Sequence, residues 1–190
     1  MLYASVILIC VTRLLFLNGD WKSNFDVAYA WVRDYPDNGR GYGLLGLEYY
    51  GARLPYKAKE LLEKGVRLGD QVPVDVLTLA ESYIQTGQPD AAEPLARQII
   101  ARYPDYADAY FCLAEVYYFR QDPLQSSMML KKALELNPNK LLWYELLMKD
   151  YLDLGQGKNA IGLLQEASPH LDAQDFSRLR RFGKDQGIRP

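Results

Sequence analysis

The chain has 190 residues, 49% of them hydrophobic and 24% charged, with 22 basic side chains against 24 acidic ones and a formal charge of −2. So much apolar content with so little net charge excludes a disordered chain. It also excludes the strongly basic footprint of a dedicated nucleic-acid binder, so no nucleic acid is expected among the partners. Cys10 and Cys112 are the two cysteines and His170 is the one histidine. They leave no disulfide framework and no metal-ligand spacing, and His170 sits in a Ser168-Pro169-His170 loop with no visible nucleophile beside it. No catalytic residue, metal or cofactor is expected; the totals point to an interaction module rather than an enzyme.

Residues 1–18 form the first element. Of residues 2–17, thirteen are apolar and Arg13 is the only charge. Leu2, Val6, Ile7, Leu8, Ile9, Val11, Leu14, Leu15 and Phe16 suit a membrane-anchor helix. The run is short against the roughly 20 apolar residues of a full span, but Arg13 lies near one end, where its long side chain can snorkel. A secretory signal would need a basic start and a small-residue cleavage site, and neither is visible. The competing expectation is a repeat helix buried by its neighbours or by a partner protein. Residues 19–38 follow as a half repeat, a lone helix with Trp21, Phe25, Ala28 and Trp31 at helical spacing before Pro36.

From there the chain repeats every 34 residues. Pro36, Pro104 and Pro138 lie on one grid, with Asp70 at the missing node. Pro55, Pro89 and Pro123 form a second grid, Tyr49, Tyr83, Tyr117 and Tyr151 a third, and Leu45, Leu79, Leu113 and Leu147 a fourth. Small residues follow each grid leucine at Gly46, Ala80 and Ala114, and recur at Ala58, Ala92, Ser126 and Ala160 where two helices must cross closely. Prolines of the second grid suit the first turn of a helix, where a missing N–H costs nothing. Those of the first grid end one, because the residue before proline is pushed out of the α region. Each unit therefore reads as helix, tight turn, helix, turn. Pro94, a few residues into a helix, should cost one backbone bond.

Gly41-Tyr42-Gly43-Leu44-Leu45-Gly46 matches the GxGxxG spacing of dinucleotide sites. Such a site must follow a β-strand, whereas helix and turn precede this one. The glycines read as helix-packing positions.

The pattern resembles the tetratricopeptide repeat (TPR) family: an aromatic, then Leu-Gly or Leu-Ala, then Tyr, Ala, a second Ala and a closing Pro. Residues 107–140 show it well as Tyr110, Leu113, Ala114, Tyr117, Ala133 and Pro138, with Ser126 in the first alanine's place. The units run 39–72, 73–106, 107–140 and 141–170, with Gly65, Ile99 and Met148 as departures and Pro169 shortening the last. Residues 171–190 are expected to be a capping helix, with Leu171, Phe176 and Leu179 inward, and a basic tail. The resemblance implies an all-α, right-handed superhelical solenoid of antiparallel helix pairs with a concave groove. Its groove positions fall on Tyr50, Leu77, Glu81, Ile84, Gln85, Phe111, Glu115, Tyr118, Phe119, Lys149 and Leu152. That surface is apolar and aromatic and lacks the Lys and Asn clamp of chaperone-tail binders. An extended peptide segment or amphipathic helix of another protein is the expected ligand.

Thr12-Arg13, Asn18-Gly19-Asp20-Trp21-Lys22 and Tyr35-Pro36-Asp37-Asn38 resemble a second thing, the junction between the last transmembrane helix and the repeats in membrane glycosyltransferases with C-terminal TPRs. That likeness implies a single N-terminal span in contact with membrane lipid and repeats on the extracytoplasmic side. The expected function is thus a non-enzymatic scaffold or adaptor, tethered to a membrane or membrane complex. Two alternatives stand beside it. One is the repeat domain of a membrane glycosyltransferase system, recruiting enzyme or substrate. The other is a soluble TPR subunit whose N-terminal helix is buried in the solenoid or in a partner.

Overall fold

The computed structural model describes residues 24–188. Among them are ten α-helices and no strand: α1 (Asn24–Asp34), α2 (Gly39–Gly51), α3 (Pro55–Arg67), α4 (Pro73–Gln85), α5 (Pro89–Arg102), α6 (Ala107–Phe119), α7 (Pro123–Leu136), α8 (Leu141–Asp153), α9 (Gly157–Ala167) and α10 (Ala173–Asp185). The all-α expectation holds for these residues. The expected anchor, residues 1–18, and the junction residues Thr12 to Lys22 lie outside them. Among the described residues no helix is long and apolar enough to cross a membrane.

The proline grids act as their chemistry requires. Pro55, Pro89 and Pro123 open α3, α5 and α7, where the first N–H groups have no helical partner to lose. Pro104 and Pro138 follow the ends of α5 and α7 by two residues. Pro94 sits inside α5, which leaves the Asp90 carbonyl without its usual helical donor; the helix nevertheless continues to Arg102. The tyrosine grid has a backbone role that its side chains do not reveal. Leu54, Gln88, Asp122 and Gln156 donate their N–H groups to the carbonyls of Tyr49, Tyr83, Tyr117 and Tyr151 at 2.7–3.0 Å, closing each turn with the six-to-one bond of a Schellman motif. The residue before each donor lies in the left-handed region: Arg53, Gly87, Gln121 and Gly155. Glycine enters that region freely, whereas Arg53 and Gln121 are held there by the turn they close.

The chain divides into two compact units, one ending at Ser82 and the other beginning at Tyr83, with α4 carrying the boundary. In the first unit α2 packs between α1 and α3. Its core joins Ala28, Tyr42, Leu45 and Leu61, with Phe25 meeting Tyr49 edge-on at 5.1 Å. This unit is packed through glycine. A Cβ on Gly46 would stand 2.5 Å from Leu62 Cγ, and one on Gly39 would stand 2.5 Å from the Gly65 carbonyl. The GxGxxG glycines thus lie in a helix, with Gly41 against Val32, Gly43 against the Asp70 and Asp75 carboxylates and Gly46 against Leu62.

In the second unit α6 packs on α5 and α7, α8 on α7 and α9, and α10 on α8 and α9. Its core is aromatic and aliphatic: Phe111 stacks on Trp143 at 5.2 Å, and Tyr144, Leu147, Met148 and Tyr151 fill the space towards α9 and α10. Helix α9 has eleven residues against fourteen in α5 and α7 and stops just before Pro169. Leu171, just before α10, and Leu179, on it, are buried, Phe176 is half-buried, and the Asp172 carboxylate caps the helix by accepting from the Asp175 N–H at 2.8 Å.

Candidate partner-binding site

The residues at expected groove positions divide by burial. Leu77, Ile84 and Phe111 are only 3%, 7% and 9% exposed, so their side chains are committed to packing, Phe111 against Trp143. Tyr50, Glu81, Glu115, Lys149 and Leu152 are half-buried and Gln85 is exposed. Tyr118 and Phe119 are the outward aromatics, 37% and 54% exposed on the last turn of α6. A helix turns about 100° per residue, so a column of family groove positions cannot all project equally once each helix has settled against its neighbours.

Within the second unit, Tyr118 and Phe119 border a cleft of 520 Å³ with Gln121, Lys149, Asp150 and Asp153. The Lys149 ammonium lies 4.6 Å from the centre of the Tyr118 ring and donates to its hydroxyl. That bond holds the Lys149 pKa above its ordinary value and joins α8 to α6 through a cation–π contact. Asp150, fully buried on α8, lies beside Ser126 of α7. Burial pushes its carboxyl up to about 6; the neighbouring Ser126 hydroxyl and Lys149 oppose the rise and Asp153 adds to it. Neither Asp150 oxygen, nor the Ser126 hydroxyl, completes a hydrogen bond.

A second polar cluster lies in the first unit. The Arg40 guanidinium pairs with Asp75 and stands 3.9 Å from Asp70. Asp70 also accepts from the Val72 N–H at 3.1 Å, fixing the turn into α4. Burial and the adjoining Asp70 carboxyl raise the Asp75 pKa to about 7 against the pull of Arg40. Gly43 faces both carboxylates, and a side chain there would occupy their space. This cluster is internal: its cation comes from its own unit.

None of Asp150, Ser126, Asp70 or Gly43 stood out as a site residue in the sequence, although the 34-residue columns contain the signal. Asp150 shares a column with Glu48, Ser82 and Val116, and Ser126 with Ala58, Ala92 and Ala160. Asp70 occupies the missing proline node. Among the described residues, no group of His, Cys, Asp and Glu side chains could hold a metal ion. His170 is exposed just past the end of α9.

Helix pairs on a 34-residue period, closed by the same turn each time, define a TPR-like solenoid fold. A tetratricopeptide repeat family model matches residues 73–116. Solved structures agree over most of the chain. A crystal structure of MamA superposes with a TM-score of 0.67 at 22% identity, covering 88% of this chain and 91% of that one. A thermophilic TPR protein of Thermus thermophilus gives 0.65 at 22%, covering 79% and 84%. MamA from Desulfovibrio magneticus RS-1 gives 0.66 at 16%, covering 97% and 95%. At these identities the likeness is one of fold. A search of curated proteins returned no match.

Proposed function

We propose that the chain is a non-enzymatic TPR scaffold that binds a segment of another protein through the α6–α8 face of its second unit. The observation that carries this reading is the pair of adjacent outward aromatics, Tyr118 and Phe119, at the rim of the 520 Å³ cleft. Aromatic side chains beside a recess are the usual anchors of protein interfaces, because they bury much area at little entropic cost. An extended segment or one amphipathic helix carrying apolar anchors suits that face. The test is site-specific photo-crosslinking from position 119 in the native cell, repeated with Tyr118→Ala. One discrete crosslinked partner, lost in the variant, supports the reading; no crosslink, or one indifferent to Tyr118→Ala, overturns it.

Residues 1–18 are proposed to tether this scaffold to a membrane, with the repeats on the extracytoplasmic side. The support is their apolar run and the resemblance of the junction after it to membrane glycosyltransferases carrying TPRs. A second reading has its own observation. Helix α1 packs chiefly on α2 among the described helices, and its Tyr29 is 58% exposed, so residues 2–17 could instead cover α1 as a repeat partner. Deleting residues 1–17 separates the two. Release into the soluble fraction with an unchanged melting temperature supports the tether, and a marked fall in melting temperature supports the repeat helix.

A further inference from the structure

Asp150 is the fully buried acid of a column that otherwise holds Glu48, Ser82 and Val116. Its column position one repeat earlier is Val116, an apolar core residue. The crossing position it faces is alanine in three units and Ser126 here alone. Asp150 and Ser126 are thus two neighbouring polar groups in the core: the Ser126 hydroxyl favours the charged carboxylate, but neither carboxylate oxygen nor the hydroxyl completes a hydrogen bond. A buried carboxylate without a counter-ion is among the costliest groups a core can hold. In the first unit a guanidinium of the same unit pairs with Asp75, although Asp70 Oδ2 and Asp75 Oδ1 also lack a hydrogen-bond partner. In the second unit Lys149 donates to Tyr118 and acts on Asp150 only through its charge.

The chemistry around Asp150 specifies what is missing. Its two free oxygens suit the two parallel N–H donors of a guanidinium better than the single point charge of an ammonium. The cleft it borders has aromatic walls in Tyr118 and Phe119, on which a planar cation stacks. Asp153, exposed at the rim, adds a second negative charge against the single positive one of Lys149. We propose that the cleft between α6 and α8 is a subsite for an arginine side chain of the partner protein, with Asp150 as its counter-ion and Tyr118 and Phe119 as its stacking walls. The carboxylate is closed to water in the free chain, so entry requires the side chains that cover it to move. This subsite rests on the scaffold reading and gives it a recognition rule: the bound segment carries an arginine among its apolar anchors.

The test uses the full chain in mild detergent, titrated with N-acetyl-arginine amide and followed by amide chemical shifts. Its controls are the citrulline amide, a neutral isostere, and the lysine amide. The subsite predicts saturable shifts confined to the last turns of α6 and α8 with arginine, at least tenfold weaker binding of lysine, and none of citrulline. Asp150→Asn should weaken arginine binding at least tenfold while the melting temperature stays equal or rises. Asp150→Leu, which keeps the core filled, serves if the asparagine variant proves unstable. Equal shifts in wild type and Asp150→Asn, or equal response to citrulline, would overturn the subsite. Its failure is distinct from that of the scaffold reading: if the crosslink at position 119 survives Asp150→Asn unweakened, the arginine subsite falls and the interface stands. Loss of the crosslink only in Tyr118→Ala leads to the same conclusion.

Discussion

The two units bury carboxylates in opposite ways. In the first, Asp70 and Asp75 lie against Arg40, and Gly43 gives up its side chain to make room for them. In the second, Asp150 lies against a serine that gives it no complete bond, beside a lysine turned towards Tyr118. Internal pairing is what a structural cluster requires, because a charge removed from water must recover its solvation from the protein. Where recovery is left incomplete beside a cleft with exposed aromatics, the deficit faces outward. The contrast teaches that neither burial nor an orphaned oxygen marks a site, since Asp70 Oδ2 and Asp75 Oδ1 share both; the lack of an ion-paired cation does.

The largest expected effect comes from the core that separates these regions' roles. Phe111→Ala, which deletes one member of the stack on Trp143, should destabilise the second unit by about 3–5 kcal/mol, measured by denaturant unfolding. A loss below about 1 kcal/mol would return Phe111 to the groove surface. Next is Arg40→Met, which strands the acid pair. Breaking a fully buried pair costs about 3–5 kcal/mol; because Arg40 reaches solvent the expected loss is roughly 2 kcal/mol. Hydrogen exchange should place that loss in α2 and α3, leaving α7 and α8 protected.

The pH dependence of the first unit sharpens the comparison. Asp75 keeps its proton up to about 7 when folded, whereas an unfolded aspartate releases it near the ordinary value of about 3.9. The folded unit therefore binds more protons between those values, and its stability falls as pH rises through that window. Arg40 and Asp70 are the charged groups that set this behaviour. Asp75→Asn should flatten the melting-temperature profile between about pH 4 and pH 7, the window itself; an unchanged slope would remove Asp75 as its source. Asp150→Leu should act with the opposite sign to Arg40→Met, stabilising the second unit by roughly 1–2 kcal/mol as an unpaired charge leaves the core. The smallest effect is Phe119→Ala, which should change stability by less than about 0.5 kcal/mol while removing the position-119 contact face. A larger loss would mean that Phe119 is packed rather than presented.

Much of the fold was legible from spacing. The prolines of the second grid had to open helices because they lack an N–H, and they open α3, α5 and α7. The glycines at 41, 43 and 46 read as packing positions because a helix and a turn lead into them, and α1 does precede them. Less of the candidate site could be seen. Leu77, Ile84 and Phe111 share columns with surface positions of the family, but whether a side chain at such a position projects depends on the tilt of its helix. Asp150 and Ser126 were visible as departures from their columns without any sign that they face each other.

The sequence by itself determined the helices, their order and their turns, because those follow from local constraints: proline's missing donor, the left-handed residue at each turn and the apolar spacing of each helix. Which acids found a cation and which did not was decided only in three dimensions. Coulombic pairing depends on distance and desolvation across helices many residues apart, and no linear pattern encodes either.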